Sequence, residues 1–309
     1  MKLAFTTSVA AACLFAAAAF AQGQPDFSQV QIKSTPLGNN TYMLEGQGGN
    51  MVIAVGGDAV IQVDTEFAPL HDKIKAEIDR LSGGKPIKYV INTHFHGDHT
   101  GGNGGFAKDG ATVVAHRNLA LRLEHGSTNG LNGQKTEPAT KDRIPTQTYT
   151  TEGQRLMVQG QTAVVQHPRS AHTDTDSYVY FPGSNVIATG DIVSLGPRYP
   201  TIDYSNGGSL EGIISTVETY IKLGNDQTKY VPGHGPLASR ADMQKYRDML
   251  VGVRTAVKAQ IDAGKTEDQA VAAKPLASIG MMLGSPQMAD DNMVKLAYRS
   301  LKGARANPA

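Results

Sequence analysis

Apolar and polar residues alternate with a period of two over 41–45, 51–55 and 59–63, and Gly-containing turns separate the three runs. That period sends successive side chains to opposite faces of an extended chain, so the runs predict strands. A three-to-four-residue period follows over 69–81 and stops at Gly83-Gly84, which predicts a helix and its end. The apolar run 87–91 predicts another strand, with a short helix after the polar loop behind it and a further strand over 112–115. Residues 126–146, rich in Gly, Asn, Thr and Pro, read as a long loop. A second half repeats the scheme, with strands near 147–150, 156–159, 162–167, 177–181 and 185–189. Its helix over 210–223 begins after Ser209, a residue type favoured at helix N-caps. From about Ala238 the pattern is helical: Met243, Tyr246, Leu250 and Val253 recur at spacings of three or four, and a second such run covers 293–301. The whole predicts one large α/β domain with a helical extension packed on it, and the alternation is compatible with two facing sheets flanked by helices.

The polar loop after the 87–91 strand carries the chemistry. It reads Thr93-His94-Phe95-His96-Gly97-Asp98-His99-Thr100, four metal-competent side chains within six residues. Imidazole and carboxylate suit Zn²⁺ or iron. Residues two apart in an extended segment face the same way, so His94 and His96 can grip one ion. Asp98 and His99, beyond the glycine bend, can face a second. Other apolar runs also end at ligand-type residues on Gly-flanked loops: His172 lies in Ser170-Ala171-His172-Thr173-Asp174, Asp191 closes Ala188-Thr189-Gly190-Asp191, and His234 lies in Pro232-Gly233-His234-Gly235. Loops at strand ends, held by a rigid sheet, are where catalytic groups collect.

Taken in order, Val63-Asp64-Thr65, the block from His94 to His99, His172, Asp191 and His234 resemble the metallo-β-lactamase superfamily over roughly residues 28 to 240. The resemblance implies a four-layer αββα sandwich. It also implies two Zn²⁺ ions per chain, with iron or manganese as other occupants. His94, His96 and His172 would hold the first metal, and Asp98, His99 and His234 the second, with Asp191 bridging them. Asp64 matches a supporting position rather than a ligand. Two such ions can share a water, lower its pKa toward 7 and polarise a carbonyl. Asp98 would orient that nucleophile and act as the catalytic carboxylate. The best-known zinc β-lactamases keep a Cys where this chain has Asp191; the family's thioesterases, lactonases and nucleases keep a carboxylate.

Substrate contacts are expected from Arg198, able to bind a carboxylate bidentately, from Tyr199, and from Asn206, near the place where zinc β-lactamases hold an Asn that polarises the carbonyl. Arg198 could instead pair with Asp203, Tyr199 could be core, and Asn206-Gly207 could be only a turn. His71, His116 and His125 read as surface residues and His167 as packing or support. The reading is a hydrolase of a small cyclic amide or ester, with a β-lactam the most nameable substrate and a lactone or thioester next. A mononuclear-iron persulfide dioxygenase built on His94, His172 and Asp191 is the alternative of a different class.

Composition narrows the setting. Residues 1–21, with Lys2, an apolar run and Ala19-Phe20-Ala21, read as a cleaved secretory signal rather than a membrane anchor. That points to the periplasm, a hydrolase domain over 22–240 and the helical extension over 241–309. The one cysteine, Cys13, falls inside the signal, so the mature chain has no thiol and no disulfide. With 29 basic and 28 acidic residues the chain has no basic footprint for nucleic acid, and a small-molecule substrate is expected.

Overall fold

The computed structural model describes residues 26–303 except 152, so the expected signal and Cys13 lie outside the described residues. The first half runs β1 (Lys33–Gly38), β2 (Thr41–Glu45), β3 (Met51–Val55), β4 (Val60–Val63), α1 (His71–Ser82), β5 (Ile87–Ile91), α2 (Gly97–Thr100), α3 (Asn103–Lys108), β6 (Thr112–His116) and α4 (Arg117–His125). It continues through β7 (Ser127–Thr128), β8 (Lys135–Thr136) and β9 (Gln147–Tyr149). The second half runs β10 (Gly153–Val158), β11 (Gln161–Gln166), β12 (Tyr178–Phe181), β13 (Val186–Ser194), α5 (Leu210–Leu223) and β14 (Lys229–His234). The extension is α6 (Arg240–Asp262), α7 (Glu267–Ala272), α8 (Ala277–Leu283) and α9 (Gln287–Leu301).

Strand order β1-β2-β3-β4-β5-β6-β9 makes one sheet, antiparallel up to β4 and parallel from there on. The order β10-β11-β12-β13-β14 makes the second, antiparallel except for the parallel pair β13–β14. Period-two alternation sorts the side chains. Val52 and Ala54 of β3 face the second sheet, packing in one cluster with Val165, Val179 and Phe181. Met51, Ile53 and Val55 face outward onto Ile74 and Ile78 of α1 and Phe106 of α3. On the far side, Ile187 and Tyr178 meet Ile213 and Val217 of α5 and Met243, Leu250 and Val253 of α6. The layers are therefore helix, sheet, sheet, helix, an αββα sandwich. The extension shares that last core, where Met293, Val294 and Ala297 of α9 are buried with the α6 stripe. Burying each such side chain contributes roughly 1.5–3 kcal/mol before conformational entropy is subtracted. Among the described residues no helix is long and apolar enough to cross a membrane.

Several elements depart from the pattern reading. β1 was not expected, because it contains Pro36. As the edge strand of its sheet it needs no second ladder of amides, which is where a strand tolerates proline. α4 starts directly after β6, with His116 as N-cap accepting from the Asn118 amide, so no turn residue announces it. The expected loop over 126–146 contains the short β7–β8 hairpin and a turn of 3₁₀ helix at Lys141–Arg143. α6 carries a clear start signal instead: the Ser239 hydroxyl accepts from the Asp242 amide while Asp242 accepts from the Ser239 amide.

Candidate metal centre

The seven sequence-predicted donors meet where strands of both sheets end. His94 and His96 lie on the loop after β5, Asp98 and His99 in the single turn of α2, His172 between β11 and β12, Asp191 within β13, and His234 at the last position of β14. They fall into two groups of mutually close ligand atoms: His94, His96, His172 and Asp191, then Asp98, His99 and His234. In the first, His96 Nδ1 lies 3.1 Å from His94 Nε2 and 3.0 Å from His172 Nε2. Asp191 Oδ2 lies 3.9 Å from His94 Nε2 and 3.8 Å from His172 Nε2. Its other oxygen, Oδ1, lies 3.1 Å from His99 Nε2 and 3.4 Å from His234 Nε2, and Asp98 Oδ2 is 3.2 Å from His234 Nε2.

This donor set fits two metal ions. Nitrogens held at about 2.0–2.1 Å by a tetrahedral ion stand roughly 3.3 Å apart, the spacing found here. His99 Nε2 and Asp191 Oδ1 are buried and have no hydrogen-bond partner, although each faces the other. Buried polar atoms are nearly always satisfied, so two orphans aimed at one point mark a place for a cation. The charges agree. Burial, with neighbouring imidazoles, holds His94 well below and His172 below the usual histidine range, leaving both rings neutral with a free lone pair. Burial opposes ionisation of Asp98 and Asp191, but the surrounding histidines outweigh it, taking Asp98 down to about 2 and Asp191 well below its ordinary value. The carboxylates of Asp191 and Asp98 push His234 up to about 9. Burial opposes the proton on His99, yet Asp191 and Asp64 keep it there well above the ordinary value. These are the protons a divalent cation would displace.

Three of the rings are aimed by their other nitrogen. His99 Nδ1 lies 2.8 Å from Asp64 Oδ2, His172 Nδ1 lies 2.7 Å from the Thr201 carbonyl oxygen, and His96 Nε2 lies 3.1 Å from Asp203 Oδ2. Such partners fix the tautomer and orientation of a ligating imidazole. Thr201 and Glu66 were not singled out from the sequence, and Asp203 was named only as a possible partner of Arg198, because no spacing links them to the motifs. Glu66 is buried and accepts from the Gln47 and Gly48 amides, 3.0 and 2.8 Å away, which fixes the hairpin loop that roofs the site. Gly49 in that loop lies so close to His99 that a Cβ would stand 2.1 Å from its Cε1. The mouth opens beside His96, Asp98 and His234, whose side chains are 29%, 28% and 23% exposed, whereas His94, His99 and His172 are sealed.

The three substrate candidates are not brought together at that mouth. Tyr199 is buried in the core shared with the helical extension. Asn206 is buried too, and its amide donates to Asp203 Oδ2 at 2.8 Å, which places it behind His96. Arg198 is exposed on the loop after β13 and does not pair with Asp203, which faces His96, Ser205 and Asn206 instead. It lines a cavity of about 300 Å³ with Leu195, Leu237, Met249 and Leu283, beside the loop that follows His234.

His116 also departs from expectation. It is buried, and its ring stacks on His167 at 3.6 Å between centroids and 6° between planes. Burial, then the neighbouring His167, lowers it from 6.5 to about 4. The unfolded chain takes up this proton near pH 6.5 and the folded one only near 4, so the histidine's effect on stability is nil above 6.5 and increasingly unfavourable as pH falls through that window. His116→Asn, which keeps an N-cap acceptor, is expected to flatten the acid-side decline. Urea midpoints of both proteins between pH 7 and 4 read it; parallel declines would refute it.

Comparison with known proteins agrees with this geometry. The sequence profile of the metallo-β-lactamase superfamily matches residues 34–248, and the chain belongs to that family. Among characterised relatives, the alpha subunit of 2,4-dinitroanisole O-demethylase from Nocardioides sp. is 28% identical over 195 residues, 62% of this chain and 54% of that protein. The chain thus spans about half the length of this curated relative. A metallo-β-lactamase from Pontibacter korlensis superposes with a TM-score of 0.58 at 18% identity, covering 71% of this chain and 99% of that one. The stereoselective inverting sec-alkylsulfatase of Pseudomonas sp. superposes with a TM-score of 0.64 at 18% identity, over 89% of this chain and 51% of its own. That longer likeness takes in part of the helical extension.

Proposed function

We propose that the protein is a hydrolase dependent on two metal ions, zinc by donor preference, that cleaves a small ester-type or cyclic amide substrate. The observation that carries this reading is the convergence of the two donor groups on Asp191, with His99 Nε2 and Asp191 Oδ1 buried and unpartnered. Ions held there would supply hydroxide near neutral pH and a Lewis acid for the substrate's acceptor oxygen. The protein's own share is positional. Asp98, ionised across the neutral range and part-exposed at the mouth, accepts a hydrogen bond from the attacking water and orients it. Asp64 and Asp203 hold the rings of His99 and His96, so the site is organised before substrate arrives.

A bond to oxygen fits better than the amide of a β-lactam. Asn206, which would polarise a lactam carbonyl, is buried and committed to Asp203. A curated relative points the same way, since an O-demethylase is named for a bond to oxygen; the solved β-lactamases and the alkylsulfatase, at 17–18% identity, share the fold. A single-iron centre on His94, His172 and Asp191 would leave Asp98, His99 and His234 without a task, though they converge as closely as the first group. A cleaved leader over 1–21 would put this hydrolase in the periplasm.

The test is a panel of aryl esters, lactones, a thioester and a chromogenic cephalosporin offered to the zinc-loaded protein. Ester or lactone turnover on the order of 10⁴ M⁻¹s⁻¹, abolished by a chelator and restored by zinc, is the expected result. Faster cephalosporin opening would return the assignment to a β-lactamase. No turnover with two ions bound would sink the hydrolase reading.

A further inference from the structure

Arg299, on α9, joins three elements outside the metal-bearing loops. Its Nε and Nη2 donate to the two carboxylate oxygens of Glu267 at the start of α7, both at 2.7 Å. Its Nη1 donates to the Gly130 carbonyl oxygen at 2.9 Å and to the Tyr204 hydroxyl at 2.7 Å, and the guanidinium lies 5.4 Å from the Tyr204 ring centre. The Tyr204 hydroxyl in turn donates to the Gly130 oxygen at 2.6 Å. From there the bonds run inward. The Gly130 amide donates to Ser205 Oγ at 2.9 Å, Ser205 Oγ donates to Asp203 Oδ1 at 2.8 Å, and Asp203 Oδ2 meets His96 Nε2 at 3.1 Å.

We infer that Arg299 is a positioning residue for the metal centre, holding His96 in its ligating orientation through Gly130, Tyr204, Ser205 and Asp203. The inference rests on the metal-dependent reading above. Three features give the relay this role. His96 is the most exposed of the imidazole ligands at 29%, so packing holds it less than the sealed rings of His94 and His172 and its orientation depends on Asp203. Asp203 caps the start of a short 3₁₀ turn, Tyr204–Asn206, that belongs to neither sheet. That turn is anchored from outside by the planar fork of Arg299, which reaches three partners at once; a lysine ammonium cannot reproduce that geometry. The helical extension thereby becomes part of the support of one ion site. His99 and His234, held by Asp64 and by β14, do not depend on it.

The experiment titrates the zinc-loaded protein with a competing chelator, follows the two ions separately, and repeats the measurement with cobalt by visible absorption. Arg299→Met is expected to weaken one ion by about tenfold, the lower end for loss of a ligand's supporting partner. The other ion should be unmoved, and the cobalt bands of the weakened site should shift. Arg299→Lys should fall between, and Asp203→Asn should weaken the same ion more strongly. Tyr204→Phe, which removes only the hydroxyl, carries the test if Arg299→Met does not fold, and should weaken the same ion. Variants that melt at lower temperature yet hold both ions as tightly as the wild type would overturn the inference, leaving Arg299 a structural tie. A wild-type protein that holds no metal would overturn the metal-dependent reading and this inference with it.

Discussion

Asp191→Ala is expected to retain at most one ion and to lose turnover by roughly 10³-fold or more, about 4 kcal/mol of transition-state stabilisation. Asp191 is the one side chain whose two oxygens face different donor groups: Oδ2 faces His94 and His172, Oδ1 faces His99 and His234. Its removal takes an acceptor from both groups and leaves their imidazoles facing one another without the negative charge that offsets two bound cations. No neighbour can take its place, because the wall behind it is glycine: a Cβ at Gly233 would stand 2.0 Å from Asp191 Oδ1. Metal-to-protein ratio, turnover of the best substrate and melting temperature with and without chelator read the outcome. Asp191→Asn separates charge from shape, since its amide fills the same space as a neutral group. If either variant kept two ions and full turnover, the bridging role of Asp191 would be wrong and the two groups would act independently.

What the sequence disclosed follows from how each feature is encoded. The donors were legible because each ends an apolar run and four of them sit within one short motif, His94 to His99. The central strands were legible because one face of each is packed on the other sheet, as Val52 and Ala54 show, so burial imprints a period of two. β1 was hidden because an edge strand tolerates Pro36. α4 was hidden because it grows out of β6 without a turn, its cap being a histidine. Asp203 and Arg299 were hidden for a different reason: their partners His96 and Tyr204 lie 107 and 95 residues away, and a contact of that range leaves no local pattern. Tyr199 was a substrate candidate because it follows the Asp191 loop and Asn206 because it resembles an Asn position of the zinc β-lactamases, but the chain after β13 turns them inward, toward the α9 core and toward Asp203.

The supporting carboxylate Asp64 gives a second large effect, with two substitutions expected to separate fold from metal. Asp64 is buried and accepts three bonds: from the Thr93 amide at 2.7 Å, from the Thr93 hydroxyl at 2.7 Å and from His99 Nδ1 at 2.8 Å. Asp64→Ala leaves those donors buried and unmet and puts alanine at a φ of +62°, a backbone region that aspartate and asparagine tolerate better. A loss of about 3–5 kcal/mol in urea unfolding is expected, the range for removing one partner of a buried charged contact. Asp64→Asn suits the backbone and can still accept from the Thr93 amide, while the Thr93 hydroxyl can turn to accept from the new amide. His99 has no such freedom. An N–H facing its Nδ1 drives the ring to the tautomer protonated on Nε2, the atom that must be bare to take a cation. The Asn variant is therefore expected to fold close to normally yet bind the ion beside Asp98 and His234 about 10–100-fold more weakly in chelator competition. If Asp64→Asn held both ions as the wild type does, the tautomer of His99 would be set by Asp191 alone, and Asp64 would serve only the Thr93 turn.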